Sequence, residues 1–137
     1  MFGFKKKQQP YEILRTWDTA PHKGVAHFTG TCDSNCFYTY NYDPIKDLRL
    51  GTEVTIEAVA EDVILKTEND FQKFTDDSWG VVYSLDGVIV GVAKAKAAKI
   101  RELMKDGYTV RIDAVVEYDA PIKMKTLMLG YSDMTIE

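Results

Sequence analysis

Several short stretches of this chain alternate apolar and polar residues with a period of two, and one stretch repeats with the period of a helix. The clearest run is Trp79 to Tyr118, which reads as strand, tight turn, strand, helix, strand. Trp79–Leu85 and Val88–Val92 predict a hairpin around Asp86-Gly87, because a type I′ turn needs φ > 0 at both central positions. Gly91 inside the second strand marks a bulge or the close approach of another backbone. Within Lys94–Asp106, Ala97, Ile100, Leu103 and Met104 recur at helical spacing and predict a buried stripe. Lys96, Lys99, Arg101 and Lys105 fall largely off that stripe, and Gly107 ends the helix. Tyr108–Tyr118 then alternates, with Val110, Ile112, Ala114 and Val116 inward and Arg111, Asp113 and Glu117 outward.

The same pattern places other strands. In Gly24–Thr31, Val25, His27 and Thr29 share one face, and Ala26, Phe28 and Gly30 the other. Glu53–Ala60 turns Val54, Ile56, Ala58 and Ala60 to one side; Val63–Lys66 continues it after a bend at Glu61-Asp62. Asn41 to Pro44 is a turn, and Lys66–Asp77, polar and rich in Asn and Asp, reads as a loop. Asp119-Ala120-Pro121 turns the chain into a last strand, Met124–Tyr131. The expectation is a mainly-β fold with one clear helix (α+β), as a partly open OB-like or SH3-like barrel of about six strands. A flat α+β sandwich also fits this element list. Short strands with interior glycines favour the barrel. Residues 1–10 are expected to be a mobile arm and residues 11–137 a single domain.

Composition narrows the function classes. The chain has 137 residues, 45% of them hydrophobic, enough for one unstapled core. No apolar run approaches the ~20 residues of a membrane span. The MFGFKKKQQP start lacks the apolar centre of a secretory signal. With two cysteines, the expectation is a cytoplasmic protein with free thiols, no membrane and no cofactor. The net charge of −4 argues against bulk electrostatic coating of nucleic acid but leaves room for a local basic face. No Gly-rich phosphate loop, paired-carboxylate signature or Ser-His-Asp order is present, so no enzyme is expected.

Three groups of residues carry candidate chemistry. His22, His27, Cys32 and Cys36 are the only His and Cys residues, a zinc-type set. Their spacing fits no standard finger, and an unbroken strand puts His27 and Cys32 on opposite faces, so ordinary strand and loop residues are the expectation. A cysteine nucleophile paired with His22 or His27 lacks any spacing that enforces the geometry. Phe37-Tyr38-Thr39-Tyr40-Asn41-Tyr42 is dense in aromatics; alternation puts Tyr38, Tyr40 and Tyr42 on one face, a stacking platform or a wall with its hydroxyls at the rim. Lys94, Lys96, Lys99, Arg101 and Lys105 form the densest basic segment of the fold, a solvated helix face or a phosphate contact.

Several pieces resemble one family. Val25–Gly30 resembles the first strand of HIRAN domains, small modules of some chromatin-remodelling helicases that also occur as stand-alone bacterial proteins. Asp77–Tyr83 occupies the place of the family's turn into a strand. Val90-Gly91, followed by Ala98 and Leu103, resembles its strand-Gly and helix pattern, and Met124–Gly130 is compatible with its final strand. The resemblance covers about residues 24–131. Phe74-Thr75-Asp76-Asp77 stands where the family has a tyrosine and an asparagine, and Ala26, not Arg, precedes His27-Phe28. The resemblance implies an OB-like fold and binding of a single-stranded DNA 3′ end by aromatic stacking. The residues that would serve are His27, Phe28, Tyr38, Tyr40, Tyr42 and Phe74, with Lys94, Lys96 and Lys99 near phosphate. The alternative is a protein-interaction module using the tyrosine-rich surface, including as a homo-oligomer.

Overall fold

Alternating residues become strands that bury one face. In the computed structural model, residues 11–16, 23–31, 37–39, 41–66, 71–74, 80–121 and 123–137 are described. The strands are β1 (Tyr11–Thr16), β2 (Gly24–Thr29), β3 (Phe37–Thr39), β4 (Glu53–Val59), β5 (Glu61–Lys66), β6 (Phe71–Phe74), β7 (Val81–Leu85) and β8 (Val88–Ala93). Helix α1 (Ala97–Lys105) follows, then β9 (Tyr108–Asp119), β10 (Met124–Leu129) and β11 (Asp133–Ile136). No helix among the described residues is long and apolar enough to cross a membrane.

The mainly-β class with one helix is as expected; the strand count and grouping differ. An 8-stranded open sheet runs β11-β2-β9-β4-β7-β8-β3, with β10 paired to β9, and β1-β5-β6 forms a separate 3-stranded sheet. Strand β9 is the axis. It pairs in parallel with β2 over its first half and antiparallel with β10 over its second, while β4 pairs with its middle. The ladder does not close. Strand β10 lies beside β3 without pairing to it, and side chains bridge the gap. The Thr39 and Thr126 hydroxyls meet at 3.1 Å, and the Tyr42 hydroxyl donates to the Lys125 carbonyl at 2.9 Å. Lys125 Nζ in turn donates to the carbonyls of Lys46 and Leu48.

The core holds the residues that alternation turned inward: Ala26 and Phe28 from β2, Ile56 from β4, and Val110, Ile112, Ala114 and Val116 from β9. Ile45 enters it from the turn after β3. The hairpin forms around Asp86 (φ 52) and Gly87 (φ 83), the two positive φ values a type I′ turn requires. Opposite it, Tyr83 pairs with Gly91 and Ser84 with Ile89, so Val90 is an extra residue and the strand bulges. A Cβ on Gly91 would press on the Tyr38 carbonyl and lie 2.6 Å from Phe37 Cζ. Both expectations for Gly91 therefore hold together.

Some expectations need correction. Phe71–Phe74 is a strand, not part of a continuous loop over Lys66–Asp77. β1 escaped the pattern because its register shifts between Ile13 and Arg15, which breaks the alternation. β11 follows the strand that was expected to be last. Arg101, expected off the helix stripe, is 5% exposed. Its guanidinium donates to the Gly80 carbonyl, so the helix turns a cation into the packed side of the sheet. A guanidinium can be buried there because a carbonyl meets it.

Candidate interaction surface

The outward residues of five neighbouring strands, β11, β2, β9, β4 and β7, stand opposite one another in a row. Thr135 pairs with His27, His27 with Arg111, Arg111 with Glu57, and Glu57 with Ser84. His27, Arg111, Glu57 and Ser84, with Thr55, Asp86, Gly87 and Glu137, line an open groove of about 500 Å³. His27 is its centre. Nε2 lies 2.7 Å from Asp113 Oδ1 and Nδ1 lies 3.1 Å from Glu137 Oε2. Thr55 Oγ1 also donates to Asp113 Oδ1 at 3.1 Å, and Arg111 Nε reaches Glu57 Oε2 at 3.3 Å.

Two carboxylates facing both ring nitrogens favour the imidazolium, since each nitrogen can then donate. The hydrogen bond to Asp113 raises the His27 pKa above its ordinary 6.5. Partial burial works against this, and Glu137 adds to the rise. In its protonated form the imidazole offers no lone pair and cannot act as a base or bind a metal. Among the described residues, no three His, Cys, Asp or Glu side chains gather so as to hold a metal ion. Of the zinc-type set, His22, Cys32 and Cys36 lie outside the described residues.

The residues singled out for nucleic acid do not converge. Phe28 is 1% exposed, its ring edge-on to Tyr131 in the core, so it has no face to offer a base. Lys96 Nζ donates to the Tyr131 carbonyl at 2.9 Å and lies 5.9 Å above the Phe28 ring, which commits it to the fold. Tyr42 is half-buried with its hydroxyl on Lys125, and it lies beyond the end of β3. Tyr38 alone of the described platform residues is exposed, at 41%. Lys94, in the link between β8 and α1, and Lys99, in the first turn of α1, are exposed. Tyr40 and the side chain of Phe74 lie outside the described residues. His27 faces carboxylates, which repel phosphate.

The sequence reading missed the edge of β11, which no described strand pairs. Val25 and Glu137 exchange both backbone hydrogen bonds, at 3.2 and 2.8 Å. An antiparallel ladder alternates such pairs with non-bonded ones, so residues 133, 135 and 137 turn their backbone groups toward β2. Met134 and Ile136 therefore direct their N–H and C=O groups away from it, and no described strand pairs there. Their side chains share the face of their partners Phe28 and Ala26, yet remain 38% and 51% exposed. Asp133, Thr135 and Glu137 lie on the His27 face. Met134 and Ile136 alternating with Asp133 and Thr135 was the available signal, but it spans only four residues.

The fold defines a mainly-β module with one helix and an open sheet edge. No family model matches the chain, and no curated protein or solved structure matches it.

Proposed function

We propose that this chain is a non-enzymatic interaction module that takes an extended peptide strand along the free edge of β11. One observation carries the reading: all four β11 residues are exposed, with the backbone groups of Met134 and Ile136 turned outward beside their own apolar side chains. An added strand gains main-chain hydrogen bonds from such an edge and side-chain contacts at alternate positions. Proteins that leave an edge unused usually blunt it with charge or cover it, and here the inward-side positions are apolar. Hydrogen exchange tests the proposal. Binding of a strand-forming peptide should slow exchange of the Met134 and Ile136 amides; slowing confined to other strands would defeat it.

A second reading, weak binding of single-stranded nucleic acid, is favoured by the exposed ring of Tyr38 and by Lys94 and Lys99. The HIRAN resemblance adds the expectation of 3′-end preference. Fluorescence anisotropy with oligonucleotides of free and blocked 3′ end separates the readings. Micromolar binding that weakens steeply with salt, and is lost in Tyr38→Ala, would favour nucleic acid.

A further inference from the structure

We infer that the β11 edge selects a strand with basic residues on alternate positions, in the pattern basic–apolar–any–apolar–basic; this rests on β11 being the binding edge. The two faces of β11 set the pattern. On the core side, Met134 and Ile136 offer partly exposed apolar side chains to whatever lies opposite. On the other side stand Asp133 and Glu137, separated by Thr135. In an antiparallel addition, residues directly opposite share a face, so the partner's residues facing Asp133 and Glu137 meet carboxylates. Opposite charges there stabilise the pair, and like charges destabilise it.

Among the described residues, the surroundings supply few cations to these carboxylates. Glu137 shares His27 with Asp113, so that face holds Asp113, Asp133 and Glu137 around one imidazole. Arg111 is engaged by Glu57. The same charges disfavour a second copy of this chain. The register in which Met134 meets Ile136 of a second copy also sets Asp133 opposite Glu137, twice across the two-fold axis. Carboxylates on this edge thus bar self-pairing and admit a cationic strand.

The test uses the full chain at low ionic strength with two fluorescein-labelled peptides, TKVTVKT and TEVTVET, read by anisotropy. The basic peptide should bind about ten-fold tighter, the scale of two partly screened ion pairs, with the preference falling as salt rises. The double variant Asp133→Asn, Glu137→Gln should bring the two peptides to similar affinity. Ile136→Pro removes an outward N–H without touching the ladder to β2, so it should abolish binding of both while the far-ultraviolet circular dichroism is unchanged. N-methylating the peptide backbone where it faces β11 makes the same test without altering the protein. Equal binding of both peptides, lost in Ile136→Pro, would overturn the charge selection and leave the edge reading standing. Basic-peptide binding that survives both Ile136→Pro and N-methylation would overturn both, as would no binding of either peptide. Self-association of the chain that Ile136→Pro removes would overturn the inference in favour of a second copy.

Discussion

His27 Nε2 and Asp113 Oδ1 sit 2.7 Å apart across the β2–β9 pairing, and the other nitrogen of the same ring meets Glu137 just past the end of β11. One imidazole therefore ties the edge strand β11 to the central strand β9 through β2. The tie joins residues far apart in sequence, and its strength depends on a proton.

That dependence has a definite sign. The folded His27 pKa is raised above 6.5, chiefly by the hydrogen bond to Asp113. The folded protein therefore holds the proton more tightly than the unfolded chain. The stabilisation is fully present below pH 6.5 and is lost as pH rises through the folded pKa. We expect the stability difference between the native protein and His27→Gln to shrink from about 0.5 kcal/mol below that pH to near zero above it, after allowing for solvent screening. Urea unfolding across the range measures this. A difference that stays constant with pH would mean that His27 contributes packing alone.

Glu61, at the corner between β4 and β5, behaves in the opposite way. Burial raises its carboxyl pKa above the ordinary 4.5, and its Oε2 has no hydrogen-bond partner among the described residues. The folded state therefore prefers the neutral form, and ionisation at neutral pH works against folding. Glu61→Gln should stabilise the protein at neutral pH by about 0.5 kcal/mol, discounted for partial exposure. The gain should fade as pH drops through the raised pKa toward the ordinary value. A loss of stability at neutral pH would show that the carboxylate is paired in solution.

Much of this fold was legible because burial imposes a period. β9 alternates from Val110 to Glu117, so Val110, Ile112, Ala114 and Val116 could be assigned to the core from spacing alone. The hairpin was legible because Asp-Gly satisfies a specific dihedral demand. β1 was not, because its bulge interrupts the period, and β6 was not, because Phe71 and Phe74 lie three apart and do not alternate. The candidate surface was harder still. His27 was visible as an outward residue, but nothing local could reveal that Asp113 and Glu137 flank it. Spacing could place Phe28 on a face of β2, yet which face the core covers depends on β9 and Tyr131. An aromatic run likewise cannot show that β3 ends at Thr39, which separates Tyr42 from Tyr38.

Gly91 and Gly87 should respond to substitution for different reasons. At Gly91 the obstacle is space, since an added Cβ would meet the Tyr38 carbonyl and the Phe37 ring where β3 crosses close to β8. At Gly87 nothing lies within 4 Å, and the obstacle is φ +83. Gly91→Ala should cost about 2–3 kcal/mol through overpacking against backbone. Gly87→Ala should cost about 1 kcal/mol, and Gly87→Asn less, because Asn tolerates positive φ. Thermal unfolding of the three variants checks the order. Equal losses for Gly91→Ala and Gly87→Ala would remove the case for close β3–β8 contact.

Arg101 separates a structural cation from a binding one. It belongs in sequence to the basic stretch Lys94–Lys105, where a phosphate contact would be sought. In the fold it is buried and its guanidinium donates to the Gly80 carbonyl just before β7. Helix α1 packs on β7 as well as β9, so this bond fastens the helix to the start of the hairpin. Arg101→Met keeps most of the aliphatic stem and removes the donor, leaving the buried Gly80 carbonyl without it. The expected cost is about 1–3 kcal/mol, the range for a buried acceptor that loses a charged partner. Lys99→Met, on the exposed side of the same helix, should change stability by less than about 0.5 kcal/mol. Urea unfolding compares the two, and oligonucleotide anisotropy on the same proteins completes the test. If Arg101→Met leaves stability intact but removes oligonucleotide binding, Arg101 serves as a ligand contact instead of as this fastening.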